Sequence, residues 1–444
     1  MIVHRGRAVA CVLVALLTAS TIVGLRSSGE ARLVALVTAG ALHGLALHLA
    51  RRNWVVPPLV TAVALTVLLA AGLWGPPQRS RDVWAYATYG QMVLDGHDPY
   101  VERPSEISPN AYTERMAPGW RQARAVYGPV FLGIAALGMT VAAHAPVRAA
   151  ERPTVARLWF QSMAGLALIC ALVILWRTGR DPTALVALGL SPVVTIGIVH
   201  EAHNDLLVGA ALLAGVVLSR RRPLLGAAVA STAVLVKVSA LLPLVALLAW
   251  VLFRHGWRRA VQGGLCALFV IVAAYGAVGG QRAVQPILAA DRLTSSSSIW
   301  SLELFDDSSD TTGRSPRSNH PAQLAVAVVA GLVIVARRRD RDGALAVTGT
   351  GLAYLLGAAY VLPWYSGWVL PTAASTWRSW TTRLLLLFAT LSLITYGTGT
   401  TFDSPVLARL HHLLIQRYLP LFEVAAVLLL VAASIRRARR PRSG

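Results

Sequence analysis

Fourteen apolar runs, most of them about as long as a lipid bilayer is thick, recur along this chain and are separated by short arginine clusters. They lie at 8–25, 31–50, 55–75, 128–145, 158–176, 205–219, 224–236, 240–253, 261–279, 322–336, 343–362, 366–376, 384–398 and 418–434, with a further apolar stretch at 183–199. A helix rises 1.5 Å per residue, so roughly 20 residues cross a hydrocarbon core of about 30 Å. At 55% hydrophobic and only 14% charged residues, the 444-residue chain lies far from the average soluble domain. The expected fold class is an all-α polytopic membrane protein with about 13–14 transmembrane helices, forming a single integral domain over residues 1–444.

The first run follows His4, Arg5 and Arg7 and by itself has the pattern of a signal peptide. Two more spans follow directly, so a retained signal-anchor is the expectation. Cys11, Cys170 and Cys266 all fall inside apolar runs, which gives neither a disulfide framework nor a Cys/His metal cluster.

A formal net charge of +21 often points to nucleic acid, but here its placement gives another origin. Cytoplasmic loops of membrane proteins are enriched in Lys and Arg. With the N-terminus inside, Arg51 and Arg52 fall inside and the 76–127 loop falls outside. Reading back from a cytoplasmic tail at Arg436–Arg440 also puts Arg337–Arg339, Arg258–Arg259 and Arg220–Arg222 inside. The two readings meet only if an odd number of crossings separates residue 127 from residue 220, where four apolar runs lie. Run 183–199, opened by Pro182 and interrupted by Ser191-Pro192, is the expected exception, because proline removes a helix hydrogen bond and clashes with the preceding turn. It is expected to be a re-entrant element entered and left from the outer face, which is tolerated where protein surrounds it. His200-Glu201-Ala202-His203-Asn204-Asp205 then joins Asp82 outside. Acidic residues concentrate on that face, and no nucleic-acid partner is needed.

Runs 224–236 and 240–253 reach only about 20 Å each. Both have arginine-flanked inner ends, so their junction at Lys237 is expected below the outer surface. An ionisable residue at that depth needs a counter-charge and marks a functional site by default; the bland alternative is a snorkelling lysine. A lipid phosphate is one natural partner.

The 76–127 loop breaks the apolar pattern with Asp82-Val83-Trp84-Ala85-Tyr86, Tyr89, Asp98-Pro99-Tyr100 and Tyr127-Gly128-Pro129. Partial desolvation near the interface would raise the pKa of Asp82 and make it a better base. Its structural alternative is a cap on an interfacial helix over 83–94, and the aromatics suit either a sugar ring or an interfacial belt. The spacing His200-Glu201-x-His203 is one residue short of the zinc-binding His-Glu-x-x-His pattern, so a metalloprotease is excluded. His203, Asn204 and Asp205 instead suit a hydroxyl-rich or phosphate-bearing ligand, or a helix cap. Trp364 and Tyr365 in Leu362-Pro363-Trp364-Tyr365-Ser366-Gly367-Trp368 stand at the outer end of a span, as a belt or a binding surface. Residues 280–320, with Ser295–Ser298 and Asp306, Asp307 and Asp310, read as a second, partly flexible outer loop. The three aspartates read as solvated loop and not as a metal site.

These pieces stand in an order that resembles a known family. Asp82-Val83-Trp84-Ala85-Tyr86, Asp98-Pro99-Tyr100, Tyr127-Gly128-Pro129, His203-Asn204-Asp205, Lys237 and Leu362-Pro363-Trp364-Tyr365 are similar to motifs of the polyprenol-phosphomannose-dependent α-mannosyltransferases of bacterial envelope glycan synthesis. Those enzymes include α-1,6-mannosyltransferases and belong to the GT-C class of multispan glycosyltransferases. The resemblance covers roughly residues 55–370.

It implies a GT-C-like fold, a polyprenyl-phosphate-sugar donor, a glycan or glycolipid acceptor outside the cytoplasm, and Asp82 as catalytic base, with no cofactor. Tyr86, Tyr89, Asp98, Tyr100, Tyr127, His203, Asn204, Asp205, Lys237, Trp364 and Tyr365 become the candidate substrate-binding residues. Lys237 would meet the leaving phosphate, with His203 or Arg292 behind it. Two departures bear on acceptor and linkage: Ala202 stands where the family pattern has glycine, and Val238-Ser239 where it often has proline after the lysine. The rival readings are a GT-C transferase for another polyprenyl-linked sugar and a transporter or flippase of lipid-linked sugars. Transporters often carry two related halves, and no such repeat is visible here.

Overall fold

The computed structural model describes residues 2–52, 56–179, 181–289, 293–302, 320–397 and 402–439, with side chains from Arg7 onward. Every regular element among them is helical, as an apolar chain requires where only internal hydrogen bonds can satisfy the backbone. Leaving aside six short turns, they are in order α1 (Ile2–Arg26), α2 (Gly29–Arg51), α3 (Pro58–Leu73), α4 (Asp82–Leu94), α5 (Pro129–His144), α6 (Arg152–Gly179), α7 (Pro182–Gly189) and α8 (Val193–His200). Then come α9 (Asp205–Ser219), α10 (Pro223–Val236), α11 (Leu241–His255), α12 (Trp257–Ala277), α13 (Gln281–Ala289), α14 (His320–Arg337) and α15 (Ala344–Gly357). A short 3-10 segment (Pro363–Trp368), α16 (Leu370–Ser375), α17 (Trp380–Gly397), α18 (Pro405–Leu413) and α19 (Leu419–Arg439) complete the bundle. Among the described residues, seven helices are long and apolar enough to cross a bilayer. The bent pair α7–α8 makes an eighth, and six shorter apolar helices accompany them. The chain is an all-α polytopic membrane protein.

Contacts sort the helix ends into two groups. At one end, Arg26 donates to the carbonyls of Ala71 and Trp74, Arg157 to those of Leu73 and Gly75, and Gly128 to Val236. At the other, Trp377 donates to Asp181 at 2.7 Å, Arg51 lies over the Trp377 ring, and Arg337 donates to Thr381. Asp340 there pairs with Arg337 and Arg437, and Asp342 with Arg220. The arginine clusters therefore gather at one end and the Asp82 loop stands at the other.

This sorting corrects one expectation. The pair α7–α8 starts beside Trp377 at the arginine end and finishes with His200 Nδ1 3.0 Å from the Gly72 carbonyl at the opposite end. It passes through the bundle with a 52° bend and is not re-entrant. Ser191-Pro192 supplies the bend, and wide π turns from Val193 carry the backbone on. The run that fails to cross is 128–145. Its helix α5 begins beside Val236 and leads to Arg157 beside Gly75, both at the same end. It lies along α4, with Gly90 against the backbone of Ala135. Protein covers one face of it, through Phe131, Leu132, Ala135 and Met139, while Leu137 and Val141 stay exposed. The odd number of crossings is kept while the exception moves to another element.

Small residues set the closest approaches, as is usual where helices associate without a hydrophobic drive. A β-carbon on Gly209 would overlap the Gly367 carbonyl and the Pro371 ring, and one on Gly128 the Leu235 carbonyl. The first contact seats the Pro363–Trp368 segment on α9. Gly209→Ala is therefore expected to cost about 1–3 kcal/mol by overpacking. A lower thermal midpoint in detergent is the readout, and an unchanged midpoint would contradict the close approach.

Candidate active site

Asp82 is delivered by a pinned loop. Gly75, at φ +93°, turns the chain out of α3. The Glu201 carboxylate then accepts the N–H groups of Gln78 at 3.2 Å, Arg79 at 3.1 Å and Ser80 at 2.8 Å. Ser80 Oγ in turn accepts the Asp82 N–H at 3.1 Å. Asp82 is the first residue of α4, and the residue before it, Arg81, makes no side-chain cap to that helix. The Asp82 carboxylate faces His203, with Oδ2 3.6 Å from Nδ1. Tyr86, one turn along α4, brings Oη to 3.4 Å from the same nitrogen.

His203 is wholly buried and stacks on Trp364, centroids 3.7 Å apart and 13° from parallel. The turn that presents it contains Ala202 at φ +63°, the one non-glycine residue in the left-handed region among the described residues. That geometry costs an alanine roughly 1–2 kcal/mol, at the position where the resemblance expects glycine. Ala202→Gly removes the strain but adds about 0.4–1 kcal/mol of unfolded-chain entropy. The variant is expected to be equally stable or up to about 1 kcal/mol more stable by thermal unfolding. A clear loss would contradict the strain.

Asp205 opens α9, and Lys237 lies where α10 ends and α11 approaches. Lys237 Nζ is 2.9 Å from Asp205 Oδ1, and the Trp368 indole N–H donates to the same oxygen at 2.5 Å. The ammonium also lies 3.9 Å from the centroid of the Tyr365 ring, which stacks on Trp368. A deep lysine is tolerable here because a carboxylate and two aromatic faces replace water. The counter-charge expected for Lys237 is thus Asp205. Asp205 is fully buried, while the side chains of Lys237 and Asp82 keep 13% and 15% exposure. The two accessible groups are an acid and a cation flanking a buried histidine.

Burial pushes the Asp82 carboxyl up to about 6 from its ordinary 3.8. The Lys237 charge draws it back, Asp205 adds to the rise, and the Ser80 hydroxyl opposes it. A carboxylate so placed is a stronger proton acceptor than one in water yet still ionised at neutral pH.

The remaining candidates divide. The Tyr127 ring lies edge-on to Tyr86 at 5.1 Å, within an aromatic cluster completed by Phe131 and Phe160. The Tyr89 and Tyr100 hydroxyls are used on the carbonyls of Ala123 and Tyr127, each at 2.9 Å, and Asp98 accepts the Tyr100 N–H at 2.9 Å. These three hold the loop in shape. The Asn204 amide is buried, and both its side-chain atoms, with His203 Nε2 and Asp205 Oδ2, lack partners among the described residues. Arg292, Asp306, Asp307 and Asp310 lie outside the described residues. No group of three or more His, Cys, Asp or Glu residues that could hold a metal occurs among the described residues. Sequence reasoning passed over Glu201 and Trp368, although both stand inside motifs it singled out. Their signal was composition: a carboxylate within His200-Glu201-x-His203, and a second indole four residues after Trp364.

Comparison with known proteins bears on the same residues. The family described as "Alpha-(1->6)-mannopyranosyltransferase, N-terminal domain" matches residues 8–254, over half of the chain. Alpha-(1->6)-mannopyranosyltransferase A of Mycobacterium tuberculosis is 29% identical over 349 residues, which is 71% of this chain and 65% of that protein. The A protein of Corynebacterium glutamicum is 24% identical over 335 residues, 66% of either chain. The B protein of the same organism is 25% identical over 388 residues, 79% of this chain and 60% of that protein. The chain thus spans just under two thirds of the length of the A proteins it matches. No solved structure matches it. The family match reaches from the first helix past Lys237 and includes Asp82, Glu201, His203 and Asp205, and the chain belongs to the alpha-(1->6)-mannopyranosyltransferase family.

Proposed function

We propose that this protein is an inverting mannosyltransferase that moves mannose from a polyprenyl-phosphate donor to an extracytoplasmic glycan or glycolipid acceptor. The product is an α-mannoside of the cell envelope. The observation that carries the reading is the nearness of Asp82, a carboxylate of raised basicity beside His203, to Lys237, a cation paired with Asp205 two residues further on. The family's activity supports the sugar. Separation of the site from the arginine-rich end supports an orientation with both termini in the cytoplasm and the site outside, because cytoplasmic loops concentrate basic residues.

In this reading the acceptor hydroxyl gives its proton to Asp82 as its oxygen attacks the anomeric carbon. The bond to the phosphate oxygen breaks, and the polyprenyl phosphate leaves with the electron pair. Lys237 spends one N–H on Asp205 and holds the departing charge with the others. Phosphate is a good leaving group, so no separate acid is required. A single displacement inverts the configuration, and a β-linked donor gives an α-linked product. His203 and Trp364, stacked and buried, back the Asp82 carboxylate, and Tyr86 orients the imidazole.

The test is transfer itself. Membranes containing the protein are given radiolabelled polyprenyl-phosphate-mannose and a short α-mannoside acceptor, beside membranes lacking it. Label is expected in an α-linked product. Transfer only from a different polyprenyl-linked sugar would change the substrate, and movement of donor across the bilayer without transfer would replace the proposal.

A further inference from the structure

The arginine end carries a cluster with no part in the chemistry proposed for the opposite end. Three cations from three places in the chain meet there around one indole. Arg51 closes α2, and Arg378 stands in the turn before α17. Their guanidinium carbons lie 5.9 Å and 4.9 Å from the centroid of the buried Trp377 ring. Arg51 also donates to the Arg378 carbonyl. Arg383, one turn into α17, is close enough to repel Arg51, as Arg378 does. Like charges held together cost free energy unless an anion sits among them. Among the described residues none of the three forms an ion pair, because the carboxylates at this end are engaged elsewhere. Asp340 pairs with Arg337 and Arg437, and Asp342 with Arg220. Asp181 spends Oδ2 on the Trp377 indole N–H and Oδ1 on the Thr183 N–H. Arg378 and Arg383 are exposed, and Arg51 is half-buried.

An apolar slot leads to this cluster from within the membrane. Residues three or four apart share a helix face. Thr390, Leu387 and Arg383 therefore form one stripe of α17, and Gly40, Gly44, His48 and Arg51 one stripe of α2. The stripes touch where a β-carbon on Gly40 would overlap the Thr390 methyl. One turn nearer the arginine end the contact is lost, and a β-carbon on Gly44 would meet nothing within 4 Å. Leu387, one turn from Thr390 in the same direction, is exposed, as is His48. The helices part between Gly40 and Arg51 and leave an opening lined by Gly44 and Leu387 that ends at the arginines. Trp380, exposed one turn before Arg383, puts this level at the membrane interface, where indoles collect.

We propose that Arg51, Arg378 and Arg383 hold the phosphate of an anionic phospholipid whose acyl chain lies in the slot between α2 and α17. Charge and shape select the occupant together. Guanidinium forks bind phosphate oxygens, and basic pockets between helix ends take anionic headgroups. A free phosphate has no use for the slot, and an apolar chain without an anion has none for the arginines. The site is independent of the transferase reading.

The experiment is native mass spectrometry of the full chain in detergent with phosphatidylglycerol and phosphatidylcholine of matched chains. Wild type is expected to retain one phosphatidylglycerol about tenfold more tightly than phosphatidylcholine. Arg378→Gln with Arg383→Gln keeps the Arg378 carbonyl for Arg51. It is expected to weaken that lipid about 25-fold, roughly fivefold for each basic residue at an anionic headgroup. Arg258→Gln with Arg259→Gln removes the same charge from the start of α12, which packs on α10 and α11. That pair is expected to stay within about twofold of wild type, because exposed charges beyond a Debye length are screened. Gly44→Leu fills the slot and is expected to weaken the lipid about fivefold, the worth of one or two buried methylenes, with binding of inorganic phosphate unchanged. These side chains are exposed or face open space, and a wild-type thermal midpoint without lipid will show that each variant is folded. Equal retention of the two lipids by wild type overturns the proposal, as does wild-type affinity in Arg378→Gln with Arg383→Gln. Equal loss in the two arginine pairs would make the attraction one of net charge and overturn it too. Displacement of the lipid by inorganic phosphate, with Gly44→Leu equal to wild type, would leave an anion site and remove the lipid.

Discussion

Asp82→Asn is expected to insert and fold as wild type does while losing about 10²- to 10⁴-fold of its transfer rate, the usual contribution of a positioned general base. The substitution keeps the shape and the Ser80 contact to the backbone N–H and removes only the proton acceptor. Stability should not suffer. The native pKa is raised, to about 6, so ionisation of Asp82 opposes folding as pH rises from the unfolded value near 4 through 6. At pH 7.5 the neutral asparagine removes that penalty, and the variant is expected to be at least as stable as wild type. The same shift sets the pH profile of the native enzyme. The base works only when deprotonated, so kcat/KM should be flat above about pH 6.5 and fall toward tenfold per unit below about pH 6. Full turnover by Asp82→Asn in a correctly inserted protein would remove Asp82 from the mechanism.

Lys237→Met carries the second large effect, on two quantities at once. It strands the fully buried Asp205 carboxylate with the Trp368 indole as its remaining side-chain partner. Breaking one side of a buried pair typically costs about 3–5 kcal/mol. It also withdraws the charge proposed to receive the leaving phosphate, a loss of about 10²- to 10³-fold in kcat by comparison with removal of other transition-state donors. Adding Asp205→Asn should separate the two, restoring much of the thermal midpoint but none of the turnover. Lys237→Arg should not substitute, because a planar fork does not fit the space between Asp205 and the Tyr365 face that a compact ammonium fills. If the double variant regained transfer together with stability, Lys237 would be a structural residue only.

The class of the fold and the two-ended distribution of charge were legible because both follow from local rules: apolar run length and arginine placement. The parity of crossings between residues 127 and 220 was legible too. Which element breaks it was not, because proline at 192 and buried apolarity in 128–145 give the same one-dimensional signal as lipid contact. Only packing of α5 along α4 tells them apart. Asp82, His203, Asp205, Lys237, Trp364 and Tyr365 could be singled out as costly residues in apolar surroundings, and the structure brings them together. Asp98, Tyr89 and Tyr100 were chosen by the same signal and turn out to hold their own loop. Glu423 was invisible, since a lone carboxylate in the last apolar run has no motif around it, and its bond from the Ile299 N–H joins segments far apart in sequence.

The Glu201 clamp also has a consequence for biosynthesis. The loop that carries Asp82 is fixed by a carboxylate encoded 121 residues after Ser80, and the Asp205 cluster is closed by an indole a further 163 residues after Asp205. At roughly 5–20 residues per second, the ribosome finishes the base about ten seconds before it makes the residue that holds it, and waits about as long again for Trp368. During that interval the Asp82 loop can bond within itself, through Tyr89 and Tyr100, but lacks the clamp that fixes residues 78–80. Asp82 is therefore unclamped until Glu201 is made, and the carboxylate paired with Lys237 lacks its indole until most of the chain has emerged.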